Sequence, residues 1–276
     1  MDKTDYHDKM ALVNDKQTYE ELKRDPAPAL QCKLNSTLLT LKKTNAIDTQ
    51  RYYRLRCSVP QPPKLYGLPK LHKPGFPMRP IVSFCGSPTY QLSKYLTTIL
   101  QPLTDKSRRK LQSTEDFINA TKTVQIPDDY KLVSFDVKSL FTSIPLQLAL
   151  QCTETAILQS SDPLPLPTED IMDLLNLCLT STYFHCNGKH YKQLYGTTMG
   201  SPVSVVVAEI VMQNIKESAL STCRQTIPLW LRYVRTKILL LPYDTTKSTH
   251  STTALTNKTL TYSLIERSKK MLNYLF

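Results

Sequence analysis

The sequence predicts a mixed α/β fold of the α+β kind, with strands and helices interleaved along the chain. Three observations carry this. Residues 131–137 form a β-rich apolar run bounded by polar residues, which reads as a largely buried strand. Apolar residues recur at helical spacing, first at Leu30, Leu34, Leu38 and Leu41, then at Leu92, Leu96, Ile99, Leu100 and Leu103. Asn187-Gly188 separates two short aromatic runs and is a strong hairpin signal, because a type I′ turn needs positive φ twice.

The elements follow in order. Residues 1–59 read as an N-terminal helical, polar region with one buried leucine stripe. From residue 60 the texture changes. Pro60, Pro62, Pro63, Pro69, Pro74, Pro77 and Pro80 alternate with Lys64, Lys70, Lys73 and Arg79. Proline holds such a segment extended and out of helices. By composition it is either a stiff basic ribbon suited to phosphates or a linker. A helix is expected over 89–103, and Ser113-Thr114-Glu115-Asp116 is an N-capping signal for another. Pro145 opens a helix through Leu146, Leu150 and Ile157. A further helix follows Thr168, with Glu169 and Asp170 in its first turn, where carboxylates suit the helix dipole. Ser201-Pro202 starts a last helix through Val203, Val207, Ile210 and Val211. No internal repeat is visible.

Composition narrows the function. Of 276 residues, 41% are hydrophobic and 21% charged, which excludes wholesale disorder. Thirty-five Lys and Arg against 23 Asp and Glu leave a formal charge of +12, which favours a polyanionic partner, nucleic acid before membrane. The seven cysteines contain no Cys-x-x-Cys pair and are odd in number, as expected of reduced thiols in an intracellular protein. The N-terminus has no apolar core of a signal peptide, and the most apolar stretch, 203–212, is too short to span a bilayer. All six glycines fall between positions 67 and 200, so the special loops are expected there.

Asp136 stands near the end of an otherwise apolar strand, where an ionised side chain needs a partner or a cation. Ser139-Leu140-Phe141-Thr142 follows at once. His185, Cys186 and His190 flank a tight turn and lack an evident fourth ligand, so no zinc site is expected. Ser201 has no histidine–acid partner nearby in sequence, and the Gly196-to-Ser201 stretch lacks the spacing and lysine of a Walker loop.

Four segments, in order, resemble a reverse transcriptase, most closely the Penelope-like retroelement branch related to telomerase reverse transcriptase. They are Lys64-Leu65-Tyr66-Gly67-Leu68-Pro69-Lys70-Leu71-His72-Lys73, Arg79-Pro80-Ile81-Val82-Ser83, Ser134-Phe135-Asp136-Val137-Lys138-Ser139-Leu140-Phe141, and Gly196-Thr197-Thr198-Met199-Gly200-Ser201-Pro202. The resemblance implies a right-hand polymerase, with a fingers-like region at 60–128, a palm-like core at 129–234 and a divergent tail at 235–276. It implies that Lys70 and Arg79 hold the triphosphate of an incoming deoxynucleotide, as phosphate-binding cations do. Asp136 would bind two magnesium ions with help from the Val137 carbonyl. Phe141 would pack under the sugar, and Met199 and Gly200 would line the nucleotide and template pocket. The implied partners are an RNA template and a DNA primer.

The family's next motif, Tyr-Xaa-Asp-Asp, reads Tyr233-Val234-Arg235-Thr236 here, and Asp244 and Glu266 are the only acidic residues beyond it. Two divalent ions about 4 Å apart repel by roughly 16 kcal/mol at an effective dielectric of about 20, and several carboxylates normally offset this. The expectation is an incomplete palm without its central hairpin, no thumb, and a catalytically impaired remnant that lacks an N-terminal portion and an endonuclease. Two other readings stay open: a non-catalytic nucleic-acid-binding protein, and an unstable fragment.

Overall fold

A computed structural model describes residues 2–104, 110–111, 113–122, 130–137, 140–222, 229–233, 236–242 and 262–265. In chain order the described strands are β1 (Tyr19–Leu22), β2 (Lys64–Pro69), β3 (Met78–Ser83), β4 (Lys110–Leu111), β5 (Tyr130–Val137), β6 (Tyr183–Cys186), β7 (Lys189–Gln193), β8 (Leu229–Tyr233), β9 (Thr236–Pro242) and β10 (Tyr262–Ile265). The described helices are α1 (Lys3–Met10), α2 (Ala27–Lys43), α3 (Thr49–Leu55), α4 (Tyr90–Leu100), α5 (Thr114–Thr121), α6 (Leu140–Ser143), α7 (Leu146–Leu158), α8 (Thr168–Thr180) and α9 (Pro202–Thr222). The chain divides into two compact units, residues 1–104 with 144–211, and residues 105–143 with 212–276.

In the first unit a five-stranded sheet runs β1-β7-β6-β2-β3, antiparallel except where β2 meets β6 at Lys64 and His185. Its core centres on the fully buried Phe184. Tyr19 packs edge-on against that ring at 5.6 Å and Tyr191 stacks on it at 5.8 Å. Val13, Val82, Phe84 and Cys186 complete the cluster. Offset and edge-on aromatic pairs of this kind add about 0.5–1.5 kcal/mol to the burial of the rings. Helix α8 packs on α7 and α4, and α3 packs on α2 and α4. The leucine stripes do what their spacing implies: Leu34, Leu38, Leu41, Leu92, Leu96 and Leu100 are buried, while Leu30 is half-buried.

Local signals set several of these boundaries. Asn187 and Gly188 take φ of 49° and 80° in the β6–β7 turn. Pro145 precedes α7, and α9 begins at Pro202. In α5, Ser113 and Asp116 form a reciprocal capping box. Strand β1 was not legible as a strand, because Tyr-Glu-Glu-Leu carries little β-propensity. It forms because it pairs with β7 along its whole length, and Tyr19 gains a place in the core. The proline-rich segment is not a linker. It is the β2–β3 hairpin, with Pro80 on an edge strand, where a missing N–H costs no ladder bond.

In the second unit a sheet runs β10-β5-β9-β8-β4, with β4 parallel to β8 and the other pairs antiparallel. The predicted strand is β5, which extends one residue further back, to Tyr130. The sequence leads one to expect no hairpin beyond Tyr233, and the structure corrects this. Strands β8 and β9 pair from Leu229 with Leu240 to Tyr233 with Thr236, and β9 also pairs with β5. The reason is physical: Ile238, Leu239, Leu240 and Leu241 supply a continuous apolar run suited to a buried strand, and strand pairing does not depend on aspartates in the turn. Among the described residues no helix is long and apolar enough to cross a membrane.

Candidate functional site

The site in the first unit is built on the β2–β3 hairpin. Cross-strand register pairs Leu68 with Arg79 and Pro69 with Met78. Beyond that last pair the Lys70 N–H donates to the Pro77 carbonyl at 3.0 Å and closes the neck of the 70–77 loop. Within the loop the Lys73 N–H donates to the Lys70 carbonyl and the Phe76 N–H to the Lys73 carbonyl. Gly75 and Phe76 take consecutive positive φ of 72° and 47°. An aromatic residue in that region is uncommon and costs about 1 kcal/mol or more, so the loop has a specified shape.

Strand alternation sorts the hairpin into two faces. Leu65, Gly67 and Pro69 share a face with Met78, Pro80 and Val82. The Gly67 N–H donates to the Tyr6 hydroxyl of α1 at 3.0 Å, and a Cβ at Gly67 would press on Met10 and Met78. The opposite face carries Lys64, Tyr66, Leu68, Arg79 and Ile81, with Tyr66 and Leu68 exposed. Lys70 follows directly on the end of β2, at the neck of the loop. Lys64 and Arg79 thus share the face opposite the one that α1 braces, Lys64 exposed and Arg79 half-buried, and the half-buried Lys70 stands at the loop neck beside them.

The Gly196-to-Pro202 motif docks on the same hairpin. The Val82 N–H of β3 donates to the Met199 carbonyl at 2.9 Å. Gly200 has φ of 119°, and a Cβ there would overlap the Val82 carbonyl. The close approach its glycine permits is therefore to the protein's own strand. Gln193, buried at the end of β7, donates through its side chain to the Tyr195 carbonyl at 2.6 Å and the Thr197 carbonyl at 3.3 Å, which fixes the loop from below. Thr197, Thr198 and Ser201 are buried in it. Lys70, Arg79, Met199 and Gly200, far apart in sequence, thus share one unit. Tyr6, Val82 and Gln193, which position them, were not singled out from the sequence. Val82 acts through its backbone and Gln193 through a tertiary contact, and neither leaves a local pattern.

The remaining predicted residues belong to the second unit. Asp136 and Val137 end β5, in register with Ser263 and Tyr262 of β10, while Phe135 pairs with Lys237 of β9. Phe141 is half-buried on the short helix α6. Strands β4, β5, β8, β9 and β10 together carry Lys110, Lys131, Arg232 and Lys237, and Asp136 is the one Asp or Glu on them. Arg235 lies outside the described residues, and Thr236 opens β9.

Other reactive groups have structural roles. His185 and His190 face each other across the β6–β7 hairpin with rings 5.2 Å apart, and His190 Nε2 lies 3.8 Å from an Asp25 carboxylate oxygen. Cys186 sits on the opposite face, in the core, so the three do not converge. Burial pushes the Cys178 thiol up to about 12 and raises those of Cys152 and Cys186, so all three stay protonated near neutral pH. The six described cysteines are free thiols; Cys223 lies outside the described residues. Ser201 spends its backbone on the loop-to-helix turn, its N–H donating to the Thr198 carbonyl and its carbonyl accepting from Ser204.

Two five-stranded mixed sheets with helices make a mixed α/β chain, and comparison with solved structures finds the same fold in polymerases. The chain is similar to apo telomerase from Candida tropicalis, with a TM-score of 0.54 at 10% identity over 92% of this chain and 52% of that one. It is similar to telomerase from Candida albicans in complex with a TWJ fragment of telomeric RNA, with a TM-score of 0.52 at 14% identity over 84% and 47%. It also resembles the BmCPV RNA-dependent RNA polymerase at its quiescent state, with a TM-score of 0.51 at 11% identity over 88% and 25%. At such identities the likeness is one of fold. The chain spans about half the length of the telomerase chains and a quarter of the viral one. No family model matches the chain, and no curated protein matches it in sequence.

Proposed function

We propose that this chain is the reverse transcriptase domain, an RNA-directed DNA polymerase, of a Penelope-like retroelement, and that it is catalytically impaired. Its partners in this reading are an RNA template, a DNA primer and deoxynucleotides. The observation that carries the reading is the junction of the basic β2–β3 hairpin with the Met199–Gly200 backbone through Val82. It unites three of the four ordered motifs, 64–73, 79–83 and 196–202, in a chain whose fold is polymerase-like. Arg79 on β3 and Lys70 at the loop neck are the cations that meet the triphosphate as charge-assisted donors in this reading. Met199 and Gly200, which meet the β3 backbone at Val82, are the residues that line the nucleotide and template pocket in this reading. Phe141 is the sugar-packing residue.

Magnesium is the ion that such a polymerase would use, and Asp136 with the Val137 carbonyl would be the residues to hold it. The residues at hand do not fit a metal pair. Asp136 is one carboxylate among four cations on its sheet, and Arg235 and Thr236 stand where two more carboxylates would be needed. Against a repulsion of roughly 16 kcal/mol between paired divalent ions, a single negative charge is too little. The fold is kept and the chemistry is lost.

A primer-extension assay with magnesium or manganese tests this. The expected result is salt-sensitive binding of an RNA–DNA primer-template with no incorporation of deoxynucleotide. Template-dependent synthesis that Asp136→Ala abolishes would overturn the impairment. Failure to bind any primer-template would overturn the polymerase reading itself. A second reading, a nucleic-acid-binding protein with no nucleotide site, is favoured by the +12 charge. The two separate on deoxynucleoside triphosphate retention in the ternary complex, which the polymerase reading requires and Lys70→Ala/Arg79→Ala removes.

A further inference from the structure

A second basic surface lies away from the hairpin, on α2, α3 and the turn between them. Residues 27–56 hold six Lys or Arg against one acid, Asp48, so 30 residues carry five of the twelve net charges. Asp48 is occupied as the N-cap of α3, accepting from the Arg51 N–H at 2.6 Å. No cation of this surface forms an ion pair with a described carboxylate.

The cations are instead laced with tyrosines. Lys42 Nζ lies 5.2 Å from the Tyr52 ring centre and 5.5 Å from that of Tyr53. The Arg56 guanidinium is 5.7 Å from Tyr53, and the two rings meet edge-on at 5.2 Å. A cation over a ring keeps its N–H donors for an anion. Tyr53 remains 59% exposed, Arg56 beside it is exposed, and so are Lys43 and Arg54 on the same two helices.

The surface is also rigid. The Asn35 side chain holds Cys57 through both backbone groups, at 2.8 and 3.0 Å, and Gln31 donates to the Cys57 and Ser58 carbonyls, tying the exit of α3 to α2. Arg51 stacks on Tyr95 of α4 and donates to its hydroxyl at 3.1 Å. Fixed cations around an exposed ring are what a flexible polyanion with stackable bases requires; an acidic peptide would use the charges but leave the ring without a partner.

We propose that this α2–α3 face binds single-stranded nucleic acid, with Tyr53 stacking on a base and Lys42, Lys43, Arg54 and Arg56 meeting the phosphates. It is separate from the hairpin site and does not need catalysis. It shares with the polymerase reading only the class of partner.

The test is fluorescence anisotropy of the full chain with a short labelled oligouridylate, the matching oligothymidylate and polyglutamate. Tyr53→Ala should weaken oligonucleotide binding about 5- to 100-fold, the range of lost base stacking, while Tyr53→Phe binds as the wild type does. Lys43→Gln/Arg54→Gln/Arg56→Gln should reduce the salt slope by about 2, three phosphate contacts at about 0.7 each. Equal affinity for both oligonucleotides, or tighter binding of the ribose form, supports the proposal. Unchanged affinity in both sets of variants overturns it, as does polyglutamate bound as tightly as the oligonucleotides. If Lys70→Ala/Arg79→Ala removes all binding while the α3 variants keep it, this proposal fails and the hairpin reading stands. Photo-crosslinking of wild-type chain to a 4-thiouridine oligonucleotide gives an answer that needs no variant: adducts on residues 51–56 support the site, and adducts confined elsewhere overturn it.

Discussion

Gly188 and Gly200 both hold positive φ, 80° and 119°, yet their surroundings differ. Nothing lies within 4 Å of a Cβ built on Gly188, whereas one built on Gly200 strikes the Val82 carbonyl. Gly188→Ala should therefore cost about 1 kcal/mol, from backbone conformation alone. Gly200→Ala should cost roughly 3 kcal/mol or more, because the loop must part from β3 and the Val82–Met199 hydrogen bond goes with it. Urea unfolding of the two variants checks the order; equal losses would mean that the contact with Val82 does not constrain the loop. Gly188 was visible in the sequence as a turn position, and Gly200 as a member of an ordered motif expected to line a nucleotide pocket. Only the folded chain distinguishes a turn open to solvent from a seat against a strand.

Among the elements, the sheet of the first unit depends on one aromatic stack. Phe184 is fully buried between Tyr19 and Tyr191, which come from different strands. Phe184→Ala should cost about 3–5 kcal/mol, measured as a shift in denaturation midpoint. Because β1 pairs with β7 and its Tyr19 rests on Phe184, the amides of Tyr19–Leu22 should lose hydrogen-exchange protection in that variant. A variant that unfolds no more readily than the wild type would contradict the central role given to this ring. The β6–β7 hairpin, the α5 capping box and the starts of α7 and α9 were legible because each rests on a local signal: a turn dipeptide, a cap residue or a proline. Strand β1 and the β8–β9 hairpin were not. One has weak propensity and is made by its partner, and the other was judged by the loss of aspartates, which concern chemistry rather than pairing.

For the whole molecule, the proposed impairment rests on the balance of charge. The sheet of the second unit pairs β5 with β9 while its strands carry four cations and one acid. Metal affinity, by contrast, needs enough carboxylates placed to coordinate the ions. In the polymerase reading, Arg235→Asp/Thr236→Asp should bind manganese at least tenfold more tightly than the wild type by titration calorimetry, and Asp136→Ala should undo the gain. Tight binding of two ions by the unaltered chain would contradict the electrostatic argument for impairment.

Periodicity, caps and turn residues, each a short-range preference of the backbone, were enough to predict a mixed α/β chain, most of its helices and one hairpin. The net charge and the four ordered motifs pointed to a polyanionic partner and a polymerase-like class before any fold was known. What required the folded chain was the meeting of distant segments: β1 on β7, Tyr6 behind Gly67, and the Met199–Gly200 backbone on Val82. These are backbone contacts and shared burial between residues remote in the chain, and no local pattern encodes them.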